Sequence, residues 1–267
     1  MTDAGQTKEQ RIHQYGATYL EDHGFESHLV TMRQRLILEL LASRLPRVVV
    51  EIGCGKDLLF DAVRRGNSKV RDSIRQWVIV EPYQAFAEAA RSHHPTSPEL
   101  LVIGGFLEQV ISEVIARCIA PPDLIICASV LHEVDDVSEI LEPLRILGKE
   151  GGILHVNVPN SNSLHRQLGS AMGIISNPGA LSERNVHFQQ FRVFNFASLS
   201  STLRDAGFSI IESGGCFLKP FSHAQMEQLP FLTPELLDGL YRLGRELPEI
   251  ATEIYANVRV AAGGSSS

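Results

Sequence analysis

Apolar positions follow two different rhythms along this chain. Between 11 and 45 they recur at helical spacing. Leu29, Met32, Leu36, Leu40 and Leu41 make one core-facing stripe, and the segment reads as two helices broken near Asp22-His23-Gly24 and ended by Pro46. From 48 to 158 short β-branched runs alternate with amphipathic stretches. The runs are Val48–Ile52, Trp77–Val80, Leu100–Ile103, Asp123–Cys127 and Ile153–Val158. Strands alternating with helical patterns predict an α/β fold with a doubly wound, mostly parallel sheet. Right-handed crossovers open its ligand crevice at the strand C-termini. The rhythm breaks between Ser161 and Phe196, where Asn177-Pro178-Gly179 and the aromatic-rich His187–Phe194 segment follow a helix start at Ser161–Arg166. Long irregular segments in a compact domain are usually functional, so 161–196 is expected to cover the substrate. Leu236, Leu237, Leu240, Leu243 and Leu247 predict a last amphipathic helix over 233–247.

The chemistry concentrates at the first strand end. Val48-Val49-Val50-Glu51-Ile52-Gly53-Cys54-Gly55-Lys56-Asp57 runs from a buried strand into a tight glycine turn and a helix start. Glycines there let the backbone approach a ligand. The second strand also ends in an acid, Glu81, the position from which a nucleoside-binding α/β fold reaches ribose hydroxyls. An acid before the glycines disfavours a pyrophosphate and suits a cationic ligand. Asp57 reads either as a helix N-cap or as a ligand contact through water or an amino group.

The stretch Glu51-Ile-Gly53-Cys-Gly55-Lys-Asp57 resembles the first motif of the class I S-adenosylmethionine-dependent methyltransferases, acid-x-Gly-x-Gly-x-Gly, with Asp57 in place of the third glycine. The resemblance extends over about residues 30 to 262. It implies a Rossmann-like seven-stranded sheet closed by strands near Ala206–Glu212 and Ile254–Val260, one of them antiparallel, with a helical lid. It implies S-adenosyl-L-methionine as cofactor, held by Glu51, Gly53, Cys54, Gly55, Asp57, Glu81, Pro82, Phe106, Leu107 and Ser129, with Glu51 and the glycine turn at the methionine end and Glu81 on the ribose diol. Phe217-Leu218-Lys219-Pro220 is similar to a turn of some bacterial small-molecule methyltransferases.

Composition narrows the substrate. The 267 residues carry a formal charge of −7, with no run of Lys and Arg interleaved with aromatics, so a nucleic-acid substrate is not expected. The expected partner is a small molecule, with no membrane and a possible homodimer. Four cysteines lack Cys-x-x-Cys spacing, no apolar stretch reaches ~18 residues, and the N-terminus is polar, so a cytoplasmic protein with reduced thiols is expected. Residues 1–10 and 263–267 are expected to be disordered, 11–45 to form a helical lid, and 46–262 to form the cofactor-binding domain.

Methyl transfer needs an oriented acceptor, excluded water and often a base, and no metal cluster stands at usual ligand spacing. His132, in Val130-Leu131-His132-Glu133-Val134-Asp135, is similar to the histidine that takes the acceptor proton in several O-methyltransferases; otherwise it packs against the methionine end or caps the next helix. His187 is the rival base. Tyr15, Tyr19, Phe191 and Arg192 are candidate substrate contacts, while Arg166 and Arg192 read either as oxyanion binders or as surface ion pairs. His155, inside an apolar strand, is expected to be buried and structural. The expected reaction is metal-independent methylation of a hydroxyl on a small metabolite, with N- or C-methylation, or a non-catalytic binding role, as alternatives.

Overall fold

The strands at Val48–Ile52 and Gln76–Glu81 are buried at every position and mostly apolar, as strands covered on both faces must be. The computed structural model describes residues 7–21 and 24–262. In chain order the elements are α1 (Lys8–Glu21), α2 (Glu26–Arg44), β1 (Val48–Ile52), α3 (Leu59–Arg65), α4 (Ser68–Ser73), β2 (Gln76–Glu81), α5 (Gln84–His93), β3 (Leu100–Gly104), α6 (Leu107–Arg117), β4 (Leu124–Ala128), α7 (Ser138–Leu147), β5 (Ile153–Pro159), α8 (Leu164–Ala171), α9 (Glu183–His187), α10 (Phe196–Asp205), β6 (Phe208–Cys216), α11 (His223–Glu227), α12 (Pro234–Glu246) and β7 (Glu253–Val260).

The seven strands lie in the order β3-β2-β1-β4-β5-β7-β6. The first five are parallel, and β7 runs antiparallel to both β5 and β6. The fold is therefore α/β and Rossmann-like, with the order reversing at β1 and β4. That reversal opens a crevice above their C-terminal ends. Two apolar layers flank the sheet. One joins Val50, Val78 and Ile125 to α7 and α10, and the other joins Val49, Trp77 and Ile79 to α2, α3 and α5. A third cluster ties α2 to α12 and the 216–217 turn through Phe25, Leu36, Phe217 and Tyr241.

Several expectations shift. Helix α1 begins at Lys8, so 8–10 are helical; residues 1–6 and 263–267, and the break at Asp22-His23, lie outside the described residues. All five stripe residues of α2 are buried. In α12, Leu237 and Leu240 are buried but Leu243 is exposed, as is Leu247, which caps the helix just beyond its last turn. Strand β6 runs on past Glu212 to Cys216 through an irregularity near Ile210. Asp57 does not cap α3: Leu58 occupies that position without a side-chain bond, and Asp57 is exposed.

Candidate active site

The crevice encloses a cavity of about 250 Å³, and two dissimilar walls build it. The first is mostly backbone. After Ile52 the chain turns through Gly53 (φ 75°) and Gly55 (φ 58°), both in the left-handed region that side chains resist. A Cβ placed on Gly55 would meet no atom within 4 Å, so the glycine leaves an open cradle at the cavity wall. The Glu81 carboxylate stands against this turn. Its Oε2 accepts from the Cys54 amide (2.9 Å) and the Gly55 amide (3.3 Å), and its Oε1 from the Tyr83 amide (2.9 Å). A carboxylate can take about four hydrogen bonds, so Oε1 retains capacity for a ligand hydroxyl. Burial raises the Glu81 pKa, and the three amides counter it. Pro82, Phe86, Phe106, Leu107 and Ser129 continue this wall.

The second wall comes from distant segments. Helix α1 lays Arg11, Ile12, Tyr15 and Tyr19 over the opening, and α2 contributes Glu26 and Arg33. The turn after β4 contributes Ser129, Val130 and Glu133, and the 161–196 segment adds Phe188 and Gln189. The rings pack together, with Tyr15 4.8 Å from Tyr19 and Tyr19 edge-on to Phe188 at 5.3 Å. Arg33 is held by the Glu253 carboxylate through both oxygens and lies 3.6 Å from Glu26. Glu26 also meets His223 (3.2 Å) and Arg184 (3.5 Å), and His223 meets the buried Lys219 ammonium at 2.9 Å. Burial opposes the Glu26 charge, but the His223 bond and the Arg33 charge win and hold its pKa well below the usual range. Glu133 behaves oppositely: burial pushes it up to about 8, against the Tyr15 hydroxyl bond and Arg33. Burial also brings Lys219 down to about 7.

A family model described as a methyltransferase domain matches residues 25–213. The chain belongs to this methyltransferase family. No curated protein matches it in sequence. Among solved structures it is similar to a Haloferax volcanii protein named as a methyltransferase, in complex with the Trm112 methyltransferase activator (14% identity, 93% of this chain and 98% of that one, TM-score 0.55). It is similar to the N-methyltransferase NodS of Bradyrhizobium japonicum WM9, solved with S-adenosyl-L-homocysteine (14%, 91% and 91%, 0.52). It is also similar to a Galdieria sulphuraria protein named as a sarcosine dimethylglycine methyltransferase (12%, 87% and 86%, 0.55). At these identities the likeness concerns the fold.

The methyltransferase's cofactor is S-adenosylmethionine, and the first wall fits it: an open glycine cradle, an acid with spare acceptor capacity, and an apolar slot at Phe106 and Leu107. Gly53, Cys54, Gly55, Asp57, Glu81, Pro82, Phe106, Leu107 and Ser129 all line the cavity. Glu51 does not. It is buried behind the turn, where its Oε2 accepts from the Trp77 indole at 2.8 Å, and burial lifts its pKa to about 7. The Trp77 bond ties its carboxylate across the sheet.

Of the acceptor-side candidates, Tyr15 and Tyr19 line the cavity. His132 does not: it is 2% exposed, and burial, with the nearby Arg33, lowers its pKa to about 3. His187 is exposed and also off the wall. Phe191 and Arg192 brace the site from outside. The Phe191 amide donates to the His132 carbonyl (2.9 Å), its ring takes the Arg11 guanidinium at 4.2 Å, and Arg192 donates to the Val134 and Asp135 carbonyls. Arg166 donates to the Pro178 and Ala180 carbonyls, organising the 161–196 segment rather than pairing at the surface. His155 is buried, with Nδ1 2.8 Å from Asn257 Oδ1.

Sequence reasoning missed Glu26, Arg33 and Glu133. Arg33 had a signal, since it stands four residues after Leu29 and three before Leu36, inside the buried stripe. Among the described residues no cluster of His, Cys, Asp and Glu could hold a metal ion, and no helix is long and apolar enough to cross a membrane.

Proposed function

We propose that this methyltransferase methylates a hydroxyl of a small polar metabolite without a metal. The observation that carries the reading is the continuity of the cavity: the cofactor wall runs on into an aromatic recess with a few fixed polar groups, Tyr15, Tyr19, Glu26 and Glu133. Apolar walls with a small set of placed polar groups are what small-molecule sites have. When bound, S-adenosylmethionine supplies an electrophilic methyl group, and the bond pair it releases stays on sulfur as a neutral thioether. The chain's own residues do the rest. Glu81 and the glycine turn fix the cofactor, the Tyr15–Tyr19–Phe188 rings enclose the acceptor, and α1 with residues 161–196 keeps water out.

Calorimetry with S-adenosylhomocysteine tests the cofactor half, and product formation from pooled small hydroxyl compounds tests the acceptor half. Micromolar binding with turnover of a hydroxyl compound supports the reading. Turnover confined to amines, or tight NADH binding in place of S-adenosylhomocysteine, overturns it.

A further inference from the structure

The turn after β4 decides which side chains reach the cavity. Ser129 adopts φ 59°, a left-handed conformation rare for a residue with a Cβ, while its amide still donates to the Asn157 carbonyl at 2.8 Å. The Glu133 amide then closes a turn onto the Val130 carbonyl at 2.9 Å. The result splits neighbours. Leu131 and His132 point into the core, whereas Ser129, Val130, Glu133 and Val134 line the cavity. A left-handed non-glycine residue at a ligand cavity is where strain usually serves function.

The Glu133 carboxyl is recessed, with 14% of its side chain open. Oε1 is closed off beside His132 Nε2, 3.7 Å away, so the open part of the side chain is the part on the cavity wall, where Tyr15 is its neighbour.

We propose that Glu133, positioned by Tyr15, is the group that takes the acceptor's proton. This rests on the hydroxyl-methylation reading. In the step, the acceptor O–H bond breaks and its proton goes to the Glu133 carboxylate oxygen that faces the cavity. Its electron pair remains on oxygen, which uses a pair to form the new C–O bond as the methyl–sulfur bond breaks and leaves its own pair on sulfur. Charge balances: the carboxylate becomes neutral as the sulfonium becomes a thioether.

The surroundings suit that role. Burial holds the Glu133 pKa near 8, close to a working pH, where a base is most effective. The charged and titratable groups facing it are Tyr15 and Tyr19 of α1, Glu26 and Arg33 of α2, Glu81 at the end of β2, and His132 beside it. Arg33 favours the carboxylate, while Glu26 and Glu81 oppose it. Glu26, ionised throughout, and Glu133, poised near neutrality, are two carboxyls on one wall whose environments drive them apart, the pattern that separates a fixed charge from a proton acceptor.

The test combines Glu133→Gln, Glu133→Asp and Tyr15→Phe with two readouts. In the wild type kcat is expected to rise with pH through about 8, because only the carboxylate accepts a proton. In Glu133→Gln the rise vanishes and kcat falls by about 10²–10⁴-fold. Its S-adenosylhomocysteine affinity stays within about threefold, which shows that the fold and cofactor wall are intact. Glu133→Asp recovers part of the rate and keeps the pH dependence. Tyr15→Phe displaces the midpoint of the rise.

The second readout needs no turnover. Infrared difference spectra of the wild type should show a protonated-carboxyl band that disappears as pH rises through about 8 and is missing from Glu133→Gln. A Glu133→Gln enzyme with kcat within a few-fold of wild type and an unchanged pH profile overturns the proposal, and so does finding that the band lost in Glu133→Gln titrates in the ordinary carboxylate range. If the wild type bound no S-adenosylhomocysteine, the functional reading would fail, while the infrared titration would still report whether Glu133 is the poised carboxyl.

Discussion

The two walls of the cavity differ in how they are made. The cofactor wall is local: a strand, a glycine turn and a strand-end acid, joined by three backbone amides onto Glu81. The acceptor wall is collected from α1, α2, the turn after β4 and the 161–196 segment, and side-chain charge holds it together. Backbone geometry tolerates change in surrounding side chains; a buried charge network does not. The cofactor wall should therefore lose ligand without losing the fold, and the acceptor wall should lose the fold with its charges.

The largest expected effect follows from that contrast. Arg33→Met leaves Glu253 and Glu26 buried without their main cation. Breaking a buried pair from one side costs about 3–5 kcal/mol. Urea unfolding should show a loss of that order. A loss below ~1 kcal/mol would mean that the acceptor wall does not depend on the network.

Glu81→Ala is next. It removes the acceptor shared by the Cys54, Gly55 and Tyr83 amides. S-adenosylhomocysteine affinity is expected to fall by ~100-fold or more, about 2.7 kcal/mol. The unfolding midpoint should move far less than in Arg33→Met. If Glu81→Ala unfolds the protein as readily as Arg33→Met, the two walls are not different in kind.

Buried histidines give a third effect, with a definite sign. His132 and His155 have folded pKa values of about 3 and about 4, set chiefly by burial, against 6.5 when unfolded. The unfolded chain thus binds more protons below 6.5. Their contribution to stability is complete above 6.5 and is lost as pH falls toward 3 and 4, at up to about 1.4 kcal/mol per pH unit for each. Glu133 runs the other way: its folded pKa of about 8 exceeds its unfolded 4.5, so its contribution is complete below 4.5 and lost as pH rises through about 8. Urea titrations at several pH values should show the acid loss blunted in His155→Gln and the alkaline loss blunted in Glu133→Gln. An acid loss as steep in His155→Gln as in the wild type would contradict a buried neutral His155.

The same division explains what the sequence disclosed. Strand periodicity and the Gly53–Gly55 turn are written in consecutive residues, so β1 to β5 and the cavity wall at Glu81 could be read directly. The position of the Glu51 carboxylate was less legible, because the Trp77 indole, 26 residues away, holds it. His132 and Glu133 are adjacent and equally polar, and only the left-handed turn at Ser129 sends one inward and the other to the cavity. Glu26, Arg33 and Glu253 come together across 227 residues, a pairing that no local pattern encodes.

The smallest effect concerns how the acceptor wall closes. Lys8 reaches from α1 to Glu108 on α6 (2.8 Å) and to Glu139 on α7 (2.6 Å), so it bridges the cavity mouth. Its side chain is 40% exposed, and exposed pairs contribute only about 0.2–1 kcal/mol. Lys8→Ala should therefore leave the urea midpoint nearly unchanged yet speed amide exchange in α1 by up to about fivefold, because local opening of a terminal helix is governed by its few contacts rather than by the core. Strands β1 and β4, buried among apolar neighbours, should not respond. Molar salt should erase the difference between Lys8→Ala and wild type, since screening at that strength reaches about 3 Å. Exchange in α1 that ignores both the substitution and salt would place the closing force in the apolar and aromatic contacts of Ile12, Tyr15 and Tyr19, and would make the acceptor wall, at its mouth, as insensitive to charge as the cofactor wall.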